Sequence, residues 1–153
     1  MDIRQANETD TGTVREITHR TITAVYPHYY PAGTVTFFLK HHSAENISAD
    51  IAAGRVFLLY DDRQEAVGTV TVKGNEICRL FVLPEFQGQG FGKELIGYAE
   101  TEIGRNHSEI TVDASLPAKP VYLKLGYKET EFRTEKTYFG DHLCYDVMKK
   151  NIG

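Results

Sequence analysis

Leu80-Phe81-Val82-Leu83-Pro84-Glu85-Phe86-Gln87-Gly88-Gln89-Gly90-Phe91-Gly92-Lys93 runs from an apolar, strand-like segment through a proline and a glycine-rich turn into the start of a helix. Glycine at alternate positions lets the backbone approach a ligand closely. Successive free N–H groups at a helix N-terminus then form a seat for a pyrophosphate. A tight strand-to-helix turn with no ligand would use the same glycines, so the pattern by itself is weak. Two other phosphate motifs fit badly. A P-loop requires Ser or Thr after its lysine, but Lys93 is followed by Glu94, which leaves no hydroxyl for magnesium. A dinucleotide fingerprint follows the first strand of a βαβ unit, and here the glycines follow three hairpin-linked strands, although Glu109 stands near the distance of a ribose ligand.

Upstream of this turn the sequence reads as alternating elements. A short strand at Ile3 to Ala6 precedes Thr9-Asp10-Thr11, which offers an N-cap to a helix with Val14, Ile17, Ile22 and Val25 at helical spacing. Pro27 ends that helix, and a second helical region runs from about Thr34 past Ser43 to Ala53, with Gly54 as its C-cap. Val56 to Tyr60, Ala66 to Val72 and Glu76 to Val82 read as hairpin-linked strands. Downstream, Phe91, Leu95, Ile96, Ala99 and Ile103 make a helical stripe. A strand at Glu109 to Ala114, a short helix at Pro117 to Leu125, and strands near Thr130 to Tyr138 and His142 to Lys149 complete the order. Three hairpin strands between helical crossovers predict an α/β sandwich with a mostly antiparallel sheet.

At 153 residues the chain has the length of a single domain spanning residues 1–153. Its 41% hydrophobic and 25% charged residues fit a globular protein, and no window approaches the roughly 18 apolar residues of a membrane span. Met1-Asp2-Ile3-Arg4-Gln5 lacks the basic and apolar regions of a signal peptide, which makes the cytoplasm the expected compartment. Cys78 and Cys144, outside any spaced motif, read as reduced and buried thiols. A net charge of −4 with no basic stripe disfavours nucleic acid as a partner.

Gln87-Gly88-Gln89-Gly90-Phe91-Gly92 resembles the Gln/Arg-x-x-Gly-x-Gly/Ala signature of the GCN5-related N-acetyltransferase (GNAT) family, and Leu80 to Phe86 resembles its lead-in. Ala118-Lys119-Pro120-Val121-Tyr122-Leu123-Lys124-Leu125-Gly126-Tyr127 is similar to the family's Ala-x-x-Phe-Tyr-x-x-x-Gly-Phe segment. Two motifs at family spacing, with matching element order along nearly the entire chain, are far stronger than either alone. The resemblance implies a mixed, mostly antiparallel sheet of about seven strands flanked by about four helices. It also implies transfer of an acetyl group from acetyl-coenzyme A to a primary amine, by direct attack through a tetrahedral intermediate.

In that reading the pyrophosphate lies on Gln87, Gly88, Gln89, Gly90, Phe91, Gly92 and Lys93, and the pantetheine arm pairs with the strand edge at Leu80 and Val82. Tyr122 matches the family's general acid and also touches the cofactor; a Tyr packing one side of a short helix, its hydroxyl bonded, is the plainer account. Glu76 stands six residues before Val82, the spacing of the glutamate base in histone-acetylating members. Simple alternation puts Glu76, Cys78, Leu80 and Val82 on one face. A solvated Glu after Gly74-Asn75 explains it equally well. Ser115 stands where the family often has Asn against the cofactor, and its hydroxyl still donates one bond.

The resemblance places the acceptor amine between the first two helices and the last hairpin. There Tyr29, Tyr30, Phe37 and Tyr138 are the candidate substrate contacts, beside Phe38, His41 and His42. Closing the core from above is the competing role for these aromatics. His41-His42 makes no persuasive metal site, since neighbours on a helix point about 100° apart and no third ligand stands near. The acceptor is a small-molecule or peptide amine, and a homodimer is left open. The alternative is a domain that binds or senses an acyl-coenzyme A without turnover, and a further one is a homologue in which the turn only packs.

Overall fold

The computed structural model describes residues 2–153. Five α-helices and seven strands follow in the order β1 (Asp2–Gln5), α1 (Thr11–Val25), α2 (Ala32–His41), α3 (Ala44–Ala52), β2 (Val56–Tyr60), β3 (Ala66–Lys73), β4 (Glu76–Val82), α4 (Phe91–Gly104), β5 (Glu109–Ala114), α5 (Lys119–Lys124), β6 (Lys128–Lys136) and β7 (His142–Asn151). The strands form one sheet in the order β1-β2-β3-β4-β5-β7-β6. Every neighbouring pair is antiparallel except β4 and β5. The GNAT-type sandwich expected from the sequence is the observed architecture.

Two details of the helices depart from the sequence reading. The expected helical region from Thr34 to Ala53 is two helices, because the backbone of Ser43 is extended and its hydroxyl accepts the Asn46 N–H as the N-cap of α3. That break sets His42 between the helices rather than on a helix face. The cap at the start of the first helix lies one turn earlier than Thr9-Asp10-Thr11 suggests. Asn7 accepts from Thr9 N–H while Asp10 accepts from Asn7 N–H, a reciprocal box that opens a 3-10 turn leading into α1.

The sheet is buried on both faces through its centre, which is why β2 is apolar at every position from Val56 to Leu59. On one face Leu95, Ile96, Ala99 and Ile103 of α4 pack on Leu59, Val67, Val70, Ile77 and Val82. On the other, Val14, Ile17 and Ile22 of α1 and Ile47 of α3 pack on Leu58 and Phe81. Burying one such Leu or Ile contributes about 1.5–3 kcal/mol. At the far edge β6 is exposed throughout and carries Lys128, Glu129, Glu131, Arg133, Glu135 and Lys136. Charges along an open edge oppose pairing with other chains.

Two irregularities of β4 make the site. It pairs with β5 only at Glu76↔Thr111 and Ile77↔Val112, and beyond them the strands part. Against β3, Arg79 faces Thr71 while Ile77 faces Val72, so Cys78 is an extra residue in a β-bulge.

Candidate active site

The first half of the site is built from backbone. Leu83 N–H donates to Val67 O across the β3–β4 pair, so Val82, one residue earlier, aims its N–H and C=O away from β3 into the split beside β5. The Val82 carbonyl is taken by Gln87 Nε2 at 3.0 Å and Thr21 Oγ1 at 3.3 Å, which fastens the glycine turn and α1 to the strand end. Its N–H has no partner among the described residues.

The turn then bends through two left-handed glycines, Gly88 at φ 78° and Gly90 at φ 88°, the latter capping α4. A Cβ at either would meet no protein atom within 4 Å, so the space before the turn is open. Among the described residues the N–H groups of Gly88 through Lys93 have no backbone acceptor, and the first donor used is Glu94, to Gly90 O. Six consecutive unpaired donors at a helix N-terminus, with its dipole, fit a phosphate group well. The groove in front of them measures about 390 Å³ and is lined by Leu80, Val82, Gln87, Gly88, Gly90, Phe91, Gly92, Lys93, Ser115 and Tyr122. The side chain of Gln89 lies outside it, facing a separate recess with Glu85 and Phe91.

A second cavity of about 460 Å³ opens from the groove, with Tyr26, Leu80, Phe81, Ser115, Ala118 and Tyr122 in the wall common to both. Tyr122 is 2% exposed, edge-on to Tyr127 at 5.1 Å. Burial, reinforced by Tyr127 and Tyr26, holds its hydroxyl well above the ordinary tyrosine range, so it is protonated across physiological pH. That hydroxyl makes no hydrogen bond to a described residue. A purely packing tyrosine would have found a partner. Beside it Ser115 bonds the Tyr26 hydroxyl, whose pKa burial pushes up to about 12 against that bond.

Glu76 lines the second cavity too, but not on the face the sequence suggests. Ile77 packs with Leu80 and Val82 in the apolar cluster beneath α4, whereas Phe81 packs toward α1 and α3. The bulge at Cys78 reverses the alternation, so Glu76 faces with Arg79 and Phe81 and away from Leu80 and Val82. The expected shared face of Glu76, Cys78, Leu80 and Val82 is therefore corrected. Burial raises the Glu76 carboxyl above its usual range, nearby Asp113 adds to this, and Lys73 opposes it. Cys78, raised to about 11 mainly by burial and then by Glu76, stays a thiol.

The substrate candidates divide. Phe37 lines the second cavity, with Phe38, His41 and His42. Tyr30 does not: its buried hydroxyl donates to Cys144 O and accepts from Leu116 N–H, which ties β7 and the loop after β5 to the first helices. Tyr29 is 50% exposed and Tyr138 is 96% exposed, both outside the cavity. Sequence reasoning misses Asp113, Glu135 and Tyr145, which come to the cavity from distant elements. It also misses Arg79, whose one signal is a cation in the middle of an apolar strand. Among the described residues no group of three His, Cys, Asp or Glu could hold a metal ion, and no helix is long and apolar enough to cross a membrane.

Comparison with known proteins places these features in a group. Residues 25–151 match the model of the acetyltransferase (GNAT) domain family. No curated protein matches the chain in sequence. Among solved structures, a GCN5-related N-acetyltransferase from Rhodopseudomonas palustris superposes with a TM-score of 0.90 at 23% identity, over 98% of this chain and 94% of that one. PaiA N-acetyltransferase from Thermoplasma acidophilum, solved with coenzyme A, gives 0.72 at 20% identity over 98% of each chain. A phosphinothricin acetyltransferase from Sinorhizobium meliloti, solved with acetyl-coenzyme A, gives 0.71 at 17% identity over 99% of this chain and 88% of that one.

Proposed function

Because this chain belongs to the GNAT acetyltransferase family, we propose that it moves the acetyl group of acetyl-coenzyme A directly onto a primary amine held in the cavity beside Glu76. The observation that carries this reading is the row of unpaired N–H groups from Gly88 to Lys93, opening on a groove that meets a second cavity at the free hydroxyl of Tyr122. A domain that held an acyl-coenzyme A without turnover would have no use for the second cavity.

Acetyl-coenzyme A supplies an activated acetyl group as its thioester. The turn holds the pyrophosphate, and the edge of β4 at Leu80 and Val82 holds the pantetheine arm. The unpaired N–H of Val82 polarises the thioester carbonyl, as an oxyanion donor does. Glu76 takes a proton from the ammonium so that nitrogen can attack; its raised pKa brings it closer to the working pH of a general base. As the new C–N bond forms and the C–S bond breaks, Tyr122 gives its proton to the departing sulfur.

The test is a panel of primary amines incubated with acetyl-coenzyme A, with thiol release and acetylated product measured together. Equal thiol and product, both strongly reduced when Tyr122 is replaced by Phe, is the expected result. Coenzyme A binding with no product from any amine would overturn transfer in favour of the binding-only domain.

A further inference from the structure

The link between α2 and α3 puts a histidine into the second cavity in a single protonation state. Buried Arg79 donates through Nε to His42 Nδ1 at 3.1 Å, through Nη1 to Thr71 Oγ1 at 2.8 Å, and through Nη2 to Asp50 Oδ2 at 3.2 Å. A guanidinium has no acceptor, so His42 Nδ1 must be the unprotonated nitrogen. Burial first, and then Arg79, His41, His19 and Lys73, push the His42 pKa down to about 2, and the ring is neutral. Its proton therefore sits on Nε2. His42 is 6% exposed, lines the cavity and stands edge-on to Phe81; Nδ1 is its bonded ring nitrogen, and Nε2, not among the fully buried atoms that lack a partner, opens on the cavity.

We propose that His42 Nε2–H is a specificity-determining donor that binds an uncharged oxygen of the acceptor amine, with Arg79 as the positioning residue that fixes its tautomer. The acceptor class that follows is an amine bearing a neutral carbonyl or hydroxyl, such as an amino amide, rather than an amino acid with a free carboxylate. A carboxylate would find Arg79 and Lys73 already held by Asp50, each at 3.2 Å, with Arg55 on the same carboxylate at 3.7 Å. It would also meet Glu76, Asp113 and Glu135, which line the same cavity. This assignment rests on the amine-acetyltransferase reading above.

Three acceptors test it: phenylalaninamide, phenethylamine, which lacks the carbonyl, and phenylalanine, which replaces it with a carboxylate. An Nε2–H that opens on the cavity and is best matched by the amide oxygen predicts kcat/KM for the amide at least about tenfold above each of the others. His42→Phe should bring the amide-to-phenethylamine ratio within about twofold. His42→Gln, whose amide oxygen can accept from Arg79 while its NH₂ donates to the cavity, should restore part of it; coenzyme A binding reports that each variant is folded. Long-range ¹H–¹⁵N correlation of the wild-type imidazole should show an Nε2–H tautomer that does not titrate between pH 5 and 8. A ratio near one in the wild type, a ratio untouched by His42→Phe, or an Nδ1–H tautomer each overturns the proposal with transfer intact. Absence of turnover on every amine, with coenzyme A still bound, overturns the transferase reading itself.

Discussion

The two cavities that meet at Tyr122 are built from different materials. The groove at the glycine turn is centred on the peptide groups of one stretch, Gly88 to Lys93, with Val82 before it and side chains of α1, α5 and Ser115 around it, and its donors follow from where glycines sit and which N–H groups lack partners. The neighbouring cavity is lined by side chains from α2, the link after it, β3, β4, β5, β6 and β7. A site made of peptide groups depends little on which side chains surround it, because a peptide group is the same in every chain. A side-chain site can change its ligand with a few substitutions. One cavity thus carries what the fold has in common, and the other what belongs to this chain.

The sharpest way to break this contrast is to damage the groove alone. Gly90→Val puts a β-branched residue at φ 88° and a side chain where the ligand's phosphate would stand. Coenzyme A affinity measured by calorimetry should fall by about 100-fold or more, and a Kd near the parent's would end the phosphate assignment. At the junction, Tyr122→Phe should lower kcat by about 10²- to 10⁴-fold while the Kd for acetyl-coenzyme A hardly moves, since the hydroxyl is needed only as sulfur leaves. Turnover within about twofold of the parent in a folded protein would return Tyr122 to a packing role.

On the acceptor side, Glu76→Gln should cost about 10²-fold in kcat/KM at pH 7. The parent's acid limb should lie above the ordinary glutamate range, since the carboxyl is raised and the proposed base would have to be ionised to act. In the variant that limb should move up to the amine's own ionisation; an unmoved profile would remove Glu76 from the chemistry. The same shift has a sign in stability. A carboxyl raised in the folded state binds its proton more tightly there, so it weakens the fold as pH rises through that range. Glu76→Gln should therefore raise Tm slightly at pH 8, with the gain fading as pH falls below the usual Glu value. The smallest effect belongs to Gln87→Ala. Losing the bond to Val82 O should raise the Kd for acetyl-coenzyme A about 2- to 10-fold, the worth of one ordinary hydrogen bond.

The fold was legible because its elements are marked locally, by the stripe of α4, the glycine turn and the apolar β2. The groove was legible for the same reason, and ten of the eleven residues expected at the cofactor line it, with Gln89 turned away. Of the four aromatics expected at the acceptor only Phe37 lines its cavity, and Glu76 lines it on a face that plain alternation does not give. Tyr30 looked like a substrate contact because an aromatic ring is visible in sequence while the carbonyl of Cys144, a hundred residues on, is not. Arg79, Asp50 and Thr71 come together across α3, β3 and β4, and no spacing rule connects them.

Cys78 gives β4 one residue more than its partner requires, and this makes the strand a frame-dependent code. The interval from Glu76 to Val82 is even, so by plain counting the two would share a side, yet the extra residue makes the even interval behave as an odd one. Deleting Cys78 would leave both flanking motifs intact by inspection. It would also leave Glu76 on the acceptor side and Ile77 under α4, because an odd interval in a regular strand does what the bulged even interval does here; smoothing the bulge at full length is what would turn the carboxylate inward against the apolar layer. A chain of this kind can therefore lose its base by a change of register with every letter kept, and a Glu in a relative counts as the same residue by the face it takes rather than by its distance from the strand end.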